Sequence, residues 1–262
     1  MKKILVTGAN QGIGYYMVKQ LLTDGCQVSV LDLETDQLER LMKDYEDRLL
    51  PIKCDVKDET ALTEAVKICI EKFGGIDIAV HNACRCTFES MEETDYSIYK
   101  DIFDINYFGA LRLTKAVIPY MKKEGKGKIV FTSSGVGVTG FVNISSYASS
   151  KGAIESFAKC MNIEYQDKGI TFHIFHPPLT RTKSASGLPI PKEFMADPVK
   201  VGNGLAKNID KKSFIICHSF GQKVQTLGCY LFPIKMGKFL SKMTENYTKE
   251  MAEKNCSNQH KF

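Results

Sequence analysis

The sequence predicts an α/β domain, a doubly wound sheet of about seven parallel strands with helices on both faces. Three observations carry this expectation. Short apolar runs alternate with longer helical patterns along most of the 262 residues. The apolar runs lack in–out alternation, as strands covered on both sides do. A glycine-rich turn separates the first run from the first helical pattern, the arrangement that opens a βαβ unit.

The elements follow in order. KILVT over 3–7 is the first strand. Residues 13–23 have helical spacing through Ile13, Met17 and Leu21 and close at Asp24-Gly25. QVSVL over 27–31 is the second strand. Residues 35–45 form an exposed helix with Leu38, Leu41 and Met42 turned inward. A third strand covers 49–54, and a helix over 58–73 carries Leu62, Val66 and Ile70 on one face until Gly74-Gly75 breaks it. The fourth strand covers 76–81. A long helix over 96–123 ends at Gly125 and Gly127, and the fifth strand covers 128–132. A second long helix over 147–167 stops before Gly169. The sixth and seventh strands cover 170–175 and 213–217. Strands separated by helices of this length run parallel, joined by right-handed crossovers. Without a repeat or composition break, residues 1–221 read as one domain and 222–262 as a C-terminal extension.

Composition narrows the function. The balance of 35 Lys+Arg against 30 Asp+Glu gives a net charge of +5, too small and dispersed for a nucleic-acid partner. No run of about 18 uncharged apolar residues is present, so a spanning helix is not expected. The start, MKKILVTGANQGIG, has too short an apolar stretch for a secretory signal. Nine scattered cysteines suit a reducing, cytoplasmic compartment. Cys84-Arg85-Cys86 is the one close pair, and nothing follows it at zinc spacing, so no metal is expected.

The turn after strand one reads Thr7-Gly8-Ala9-Asn10-Gln11-Gly12-Ile13-Gly14. Glycines allow a tight turn and let backbone approach a pyrophosphate, while the helix N-terminus offers free N–H groups to the anion. This makes the domain Rossmann-type and predicts a bound dinucleotide. Asp32 closes strand two, where a carboxylate accepts hydrogen bonds from both ribose hydroxyls and repels a 2′-phosphate. Its neighbours Leu31 and Leu33 are neutral, as is Gln11, which favours NAD over NADP. The alternative is that Asp32 caps the next helix.

Tyr147-Ala148-Ser149-Ser150-Lys151 opens the helix after strand five. Residues four apart share a helical face, so phenol and ammonium point the same way. A nearby positive charge lowers a phenol's pKa from about 10 and suits it to proton transfer with an alcohol or ketone. Ser133 and Ser134 end strand five at the same edge, where a hydroxyl can hold a substrate oxygen.

Together these motifs resemble the short-chain dehydrogenase/reductase family over roughly residues 2–217. Thr7–Gly14 matches the family's TGxxxGxG. Asp55, with Val56 beside it, stands where the family contacts adenine. His81-Asn82-Ala83-Cys84 replaces Asn-Asn-Ala-Gly, so His81 and Cys84 depart from the pattern. Asn106 matches the asparagine of the long helix, Ser134 the catalytic serine, and Tyr147 with Lys151 the catalytic pair. Pro177-Pro178-Leu179-Thr180-Arg181-Thr182 matches the segment beside the nicotinamide, with Pro178 in place of glycine.

The resemblance implies specific roles. Tyr147 is the general acid/base and Ser134 orients the substrate oxygen. Lys151 binds the nicotinamide ribose and lowers the tyrosine pKa, and Asn106 supports a proton-relay water chain. Gly8, Asn10, Gln11, Gly12, Ile13, Gly14, Asp32, Asp55, Val56, Asn82, Ala83, Pro177, Thr180 and Thr182 border the cofactor. Family members usually pair their long helices, so a homodimer or homotetramer is implied. The Pro-Pro-x-Thr-x-Thr segment also resembles the 3-ketodihydrosphingosine reductase branch, a hint toward lipids and NADPH that conflicts with Asp32.

Two stretches fall outside the strand–helix rhythm. Residues 177–201 are rich in proline and should form a lid at the carboxyl edge of the sheet. Leu188, Pro189, Ile190, Phe194 and Met195 either line a hydrophobic substrate site or hold the loop on the domain. The extension contains LGCYLFPIKMGKFLSKM, with Lys235, Lys238 and Lys242 spaced through apolar residues and Pro233 interrupting any single helix. It either lies in a membrane interface or docks as a helix on the lid or a partner subunit. The expected activity is interconversion of a secondary alcohol and a ketone with NAD(H). The alternatives are NADPH-dependent reduction of a long-chain 3-keto lipid, and a dinucleotide-sensing scaffold without turnover.

Overall fold

A computed structural model describes residues 1–259, with side chains to residue 249. Seven parallel strands form one sheet in the order β3-β2-β1-β4-β5-β6-β7. The strands are β1 (Lys3–Thr7), β2 (Gln27–Asp32), β3 (Leu49–Lys53), β4 (Ile78–His81), β5 (Gly127–Thr132), β6 (Ile170–Phe175) and β7 (Ile215–Ile216). The main helices between them are α1 (Gly12–Thr23), α2 (Asp36–Met42), α3 (Glu59–Phe73), α4 (Tyr96–Phe103), α5 (Gly109–Glu124), α6 (Val136–Thr139), α7 (Ser145–Glu164) and α8 (Pro198–Lys207). Two further helices, α9 (Phe220–Leu231) and α10 (Pro233–Gln259), follow the sheet.

Strand order reverses beside β1, which pairs with β2 on one side and β4 on the other. Crossovers from the two halves leave on opposite faces there, so a crevice opens at the carboxyl ends of β1 and β4. One core joins Ile4, Val6, Val28 and Val30 to Met17, Leu21 of α1 and Val201, Leu205 of α8. The other joins Leu5, Ala79 and Ile129 to Leu62, Val66 of α3, Leu113, Val117 of α5 and Ile154, Ala158 of α7. Alternate residues of one strand thus feed opposite cores, which is why the strands are apolar throughout.

The structure redraws four boundaries. The predicted helix over 96–123 is divided by a π-turn at Asp104–Phe108. Within it the buried Asn106 amide bonds Arg85 and Ser150. The lid predicted over 177–201 ends sooner, because Pro198 starts α8. The Asp197 carboxylate caps that helix by accepting from Val199 N at 2.9 Å, and proline at the first turn costs no hydrogen bond. The catalytic helix starts at Ser145 and gives way to a 3₁₀ turn at Gln166–Lys168. Finally, the expected boundary at 221/222 falls inside α9, which begins at Phe220 behind its cap Ser219. Pro233 does separate the two last helices. No helix among the described residues is long and apolar enough to cross a membrane.

Candidate active site

A cavity of about 440 Å³ occupies the crevice at the switch point. The glycine turn forms one wall, and its conformation depends on missing side chains. Gly8 has φ +68°, and a Cβ there would lie 2.3 Å from the Ala83 Cα. A Cβ on Gly14 would lie 2.5 Å from the Gly8 carbonyl oxygen. The backbone therefore closes onto β4 and leaves a cradle along the turn. No side chain caps the N-terminus of α1, so its first N–H groups remain open to an anion. These features fit a dinucleotide pyrophosphate.

The predicted cofactor residues separate into two groups. Gly8, Gln11, Gly12, Ile13, Asp32, Asp55, Val56, Asn82, Ala83, Pro177, Thr180 and Thr182 line the cavity. Gly14 and Asn10 do not; they shape it from behind. The Asn10 Oδ1 accepts from Gln37 N and Leu38 N, its Nδ2 donates to Asp36, and its backbone N–H donates to Asp32 at 2.7 Å. Asn10 thus caps α2 and holds the carboxylate at the end of β2. Asp32 does not cap α2, whose N–H groups at Gln37 and Leu38 go to Asn10 instead. Asn82 ties the turn to the sheet by donating to the Gly8 carbonyl at 2.5 Å and accepting from Thr132.

Ser134 and Tyr147 line the same cavity as Asp32. β5 delivers Ser134 just past its carboxyl end, and α7 delivers Tyr147 in its first turn. Burial pushes the Tyr147 phenol well above its ordinary pKa, and Cys84 and Cys86 would add to this where ionised, while a hydrogen bond with Ser134 acts in the opposite direction. Burial drives the Cys86 thiol up to about 12, so it is neutral at physiological pH. The net direction for the phenol is set by its burial. Lys151 is buried, does not line the cavity, and donates from Nζ to the Thr132 carbonyl at 2.7 Å, with Nζ 5.5 Å from the Tyr147 ring centroid. Burial also lowers its own pKa. Asn106 lies behind it, donating to Ser150 Oγ at 2.9 Å and to the Arg85 carbonyl at 3.0 Å.

His81, one of the departures from the family pattern, is fully engaged. Its Nε2–H donates to the Ile105 carbonyl at 3.2 Å, and its Nδ1 accepts from the Thr7 hydroxyl at 3.0 Å. Burial, helped by the nearby Lys151 charge, drives its pKa down to about 3, so the ring stays neutral. Cys84, the other departure, lines the cavity.

Sequence reasoning missed a buried network beneath this edge. The Glu155 carboxylate on α7 accepts from Ser133 Oγ at 2.8 Å, His176 Nε2 at 2.8 Å and Tyr230 Oη at 2.6 Å. Burial alone would raise its pKa, but these partners more than offset that and hold it below the usual carboxylate range. Ser133 and His176 directly precede Ser134 and Pro177, so the network fixes both segments. Glu155, four residues beyond Lys151 on the same helical face, was the available signal. Also missed were Gln222, Thr226, Cys229, Met236 and Leu240 of α9 and α10, which line the cavity's far side. Of the lid residues, Leu188 and Ile190 line the cavity, whereas Phe194 is exposed.

A glycine turn at the switch point of a parallel sheet, in one crevice with Ser134 and Tyr147, defines a dinucleotide-dependent oxidoreductase site. Comparison with known proteins agrees. Residues 2–190 match the model of the short chain dehydrogenase family. The oxidoreductase UcpA of Salmonella typhimurium is 33% identical over 226 residues, covering 77% of this chain and 84% of that protein. The chain belongs to the short-chain dehydrogenase/reductase family and is an NAD(P)-dependent oxidoreductase. An alcohol dehydrogenase from the archaeon Thermococcus sibiricus, solved with 5-hydroxy-NADP, has a TM-score of 0.74 at 25% identity, over 82% of this chain and 95% of that one. A 3-ketoacyl-(acyl-carrier-protein) reductase from Brucella melitensis, solved with NADH, shares the fold at a TM-score of 0.72 and 24% identity, over 79% of this chain and 88% of that one.

Proposed function

We propose that the protein interconverts a hydrophobic ketone and its secondary alcohol using NAD(H), with Tyr147 as general acid/base. The observation that carries this reading is that Asp32, Ser134 and Tyr147 all line one cavity at the switch point of the sheet. The nicotinamide, when bound, supplies or accepts the hydride.

The chain's own groups do the rest. Ser134 donates a hydrogen bond to the substrate oxygen as negative charge grows on it. Tyr147, kept protonated at neutral pH by burial, gives its proton to that oxygen, which suits the reducing direction. Lys151 and Asn106, buried behind the tyrosine, support the relay that returns the proton. Thr182 Cγ2 stands against Gly12 and holds the lid against the cradle, while Thr180 Oγ1 donates to the Pro178 carbonyl at 2.7 Å. Asp32 selects NAD because a 2′-phosphate would meet its carboxylate. Lys57, which lines the cavity, is paired with Asp101 at 3.1 Å.

Phe141, Ile144, Leu188, Ile190, Met236 and Leu240 line the substrate end, which supports a steroid-like or lipid substrate. Tyr96 on α4, Phe108 in the π-turn and Ile163 on α7 are exposed, which supports pairing of these helices in a homodimer or homotetramer. The free thiols of the described cysteines support a cytoplasmic location. The test is fluorescence titration with NADH and NADPH, followed by absorbance assays over steroid, fatty and small ketones. The reading predicts tighter NADH binding and turnover of apolar ketones. NADPH preference with long-chain 3-keto substrates would replace it, and binding without turnover across the panel would favour a sensing scaffold.

A further inference from the structure

The two helices that wall the substrate end have their apolar stripe on the wrong side for a docked helix. The face of α9 turned into the domain carries Gln222, Thr226 and Cys229, and Tyr230 reaches the buried Glu155. The face turned outward carries Phe220, Val224, Leu227 and Leu231, a stripe at helical spacing that is 56–81% exposed. Phe232, Ile234 and Phe239 extend it onto α10, at 54–67% exposure. These seven are a large share of the seventeen exposed large hydrophobic residues among those described, gathered into twenty positions. Such a patch marks a docking surface.

Charge identifies the occupant. From Phe220 to Thr244 there is no acidic residue, while Lys223, Lys235, Lys238 and Lys242 lie within or beside the stripe and are exposed. None of these lysines is in a salt bridge among the described residues. A second copy meeting the same face would set lysines against lysines with no acid to receive them. An anionic lipid surface meets both features: apolar side chains enter the acyl boundary and lysines reach the headgroups.

We propose that α9 and α10 dock the protein on anionic membranes through this outer face. The inner face of the same helices, through Met236 and Leu240, lines the cavity. Docking therefore sets the substrate end beside the bilayer, where a lipophilic ketone concentrates. That delivery role rests on the ketoreductase reading, whereas the docking itself does not.

The experiment is co-sedimentation of the full chain with phosphatidylcholine vesicles with and without phosphatidylserine. Binding is expected only with phosphatidylserine, and added salt should weaken it. Each lysine near the surface contributes about fivefold, so the triple variant Lys235→Gln, Lys238→Gln, Lys242→Gln should bind about a hundredfold more weakly. Leu227→Ser with Phe239→Ser should abolish sedimentation and leave turnover of a water-soluble ketone unchanged, which also reports that the variant is folded. No sedimentation of the wild type, or equal sedimentation with and without phosphatidylserine, would overturn the proposal. So would a concentration-dependent dimer, seen by analytical ultracentrifugation, that the Leu227→Ser, Phe239→Ser variant loses, since the face would then belong to a second copy. Sedimentation does not read turnover, so this proposal and the ketoreductase reading can fail separately.

Discussion

Lowering the pH from 7 to 5 should destabilise the protein through His81, and replacing that histidine by asparagine should remove the effect. His81 is fully buried, and its pKa falls from 6.5 to about 3. The unfolded chain takes up a proton near pH 6.5 that the folded chain refuses until about pH 3. Stability attached to this group is thus complete above 6.5 and is lost as pH falls toward 3. At pH 5 the unfolded state leads by about 1.5 pH units, which at 1.36 kcal/mol per unit is about 2 kcal/mol. Asparagine offers the Thr7 hydroxyl an acceptor at the position of Nδ1 without titrating, so His81→Asn keeps that hydrogen bond and drops the proton. The assay is urea unfolding at pH 7 and pH 5 for both proteins. Other groups, including His173 and His218, also titrate, so the informative quantity is the difference between wild type and variant. A wild-type loss exceeding that of His81→Asn by about 2 kcal/mol is expected. Equal losses would refute the reasoning, because His81 would then be accessible to protons in the folded state.

Three further outcomes follow from the same geometry. Gly8→Ala forces a Cβ against Ala83 at positive φ and should cost roughly 1–3 kcal/mol in urea unfolding, together with weakened NADH binding by fluorescence. Tyr230→Phe leaves the buried Glu155 one donor short and should cost about 1.5–3 kcal/mol of stability by the same measurement, with reduced kcat because Ser133 and His176 loosen beside Ser134 and Pro177. Asp32→Ala should move the ratio of NADH to NADPH affinity toward NADPH by about tenfold, read by fluorescence titration; an unchanged ratio would assign cofactor choice elsewhere.

The residues legible from sequence are those whose chemistry depends on local spacing. The glycine turn, Asp32 at a strand end, and Tyr147 with Lys151 one helical turn apart are fixed by the strand–turn–helix frame alone. Features set by distant contacts were not legible. Tyr230 meets Glu155 across 75 residues, and only the folded chain turns the polar side of α9 inward. Asn10 sits in the glycine turn, yet its side chain serves α2, 27 residues away, a choice made by packing. The π-turn at Asp104–Phe108 divides a segment whose apolar spacing reads as one helix, so periodicity alone did not reveal it. Helical spacing places Lys151 near Tyr147 but says nothing of how the phenol's surroundings set its pKa, which burial raises. By contrast, Asp197-Pro198 was a readable helix start inside a segment whose prolines suggested only a loop.

The central claim is that Tyr147 transfers the proton at a site holding the nicotinamide. Single-turnover absorbance with Tyr147→Phe, on a ketone the wild type reduces, tests it most directly. The account predicts unchanged NADH binding with the chemical step slowed by about 10²–10⁴. Turnover at the wild-type rate with phenylalanine in that position would contradict it.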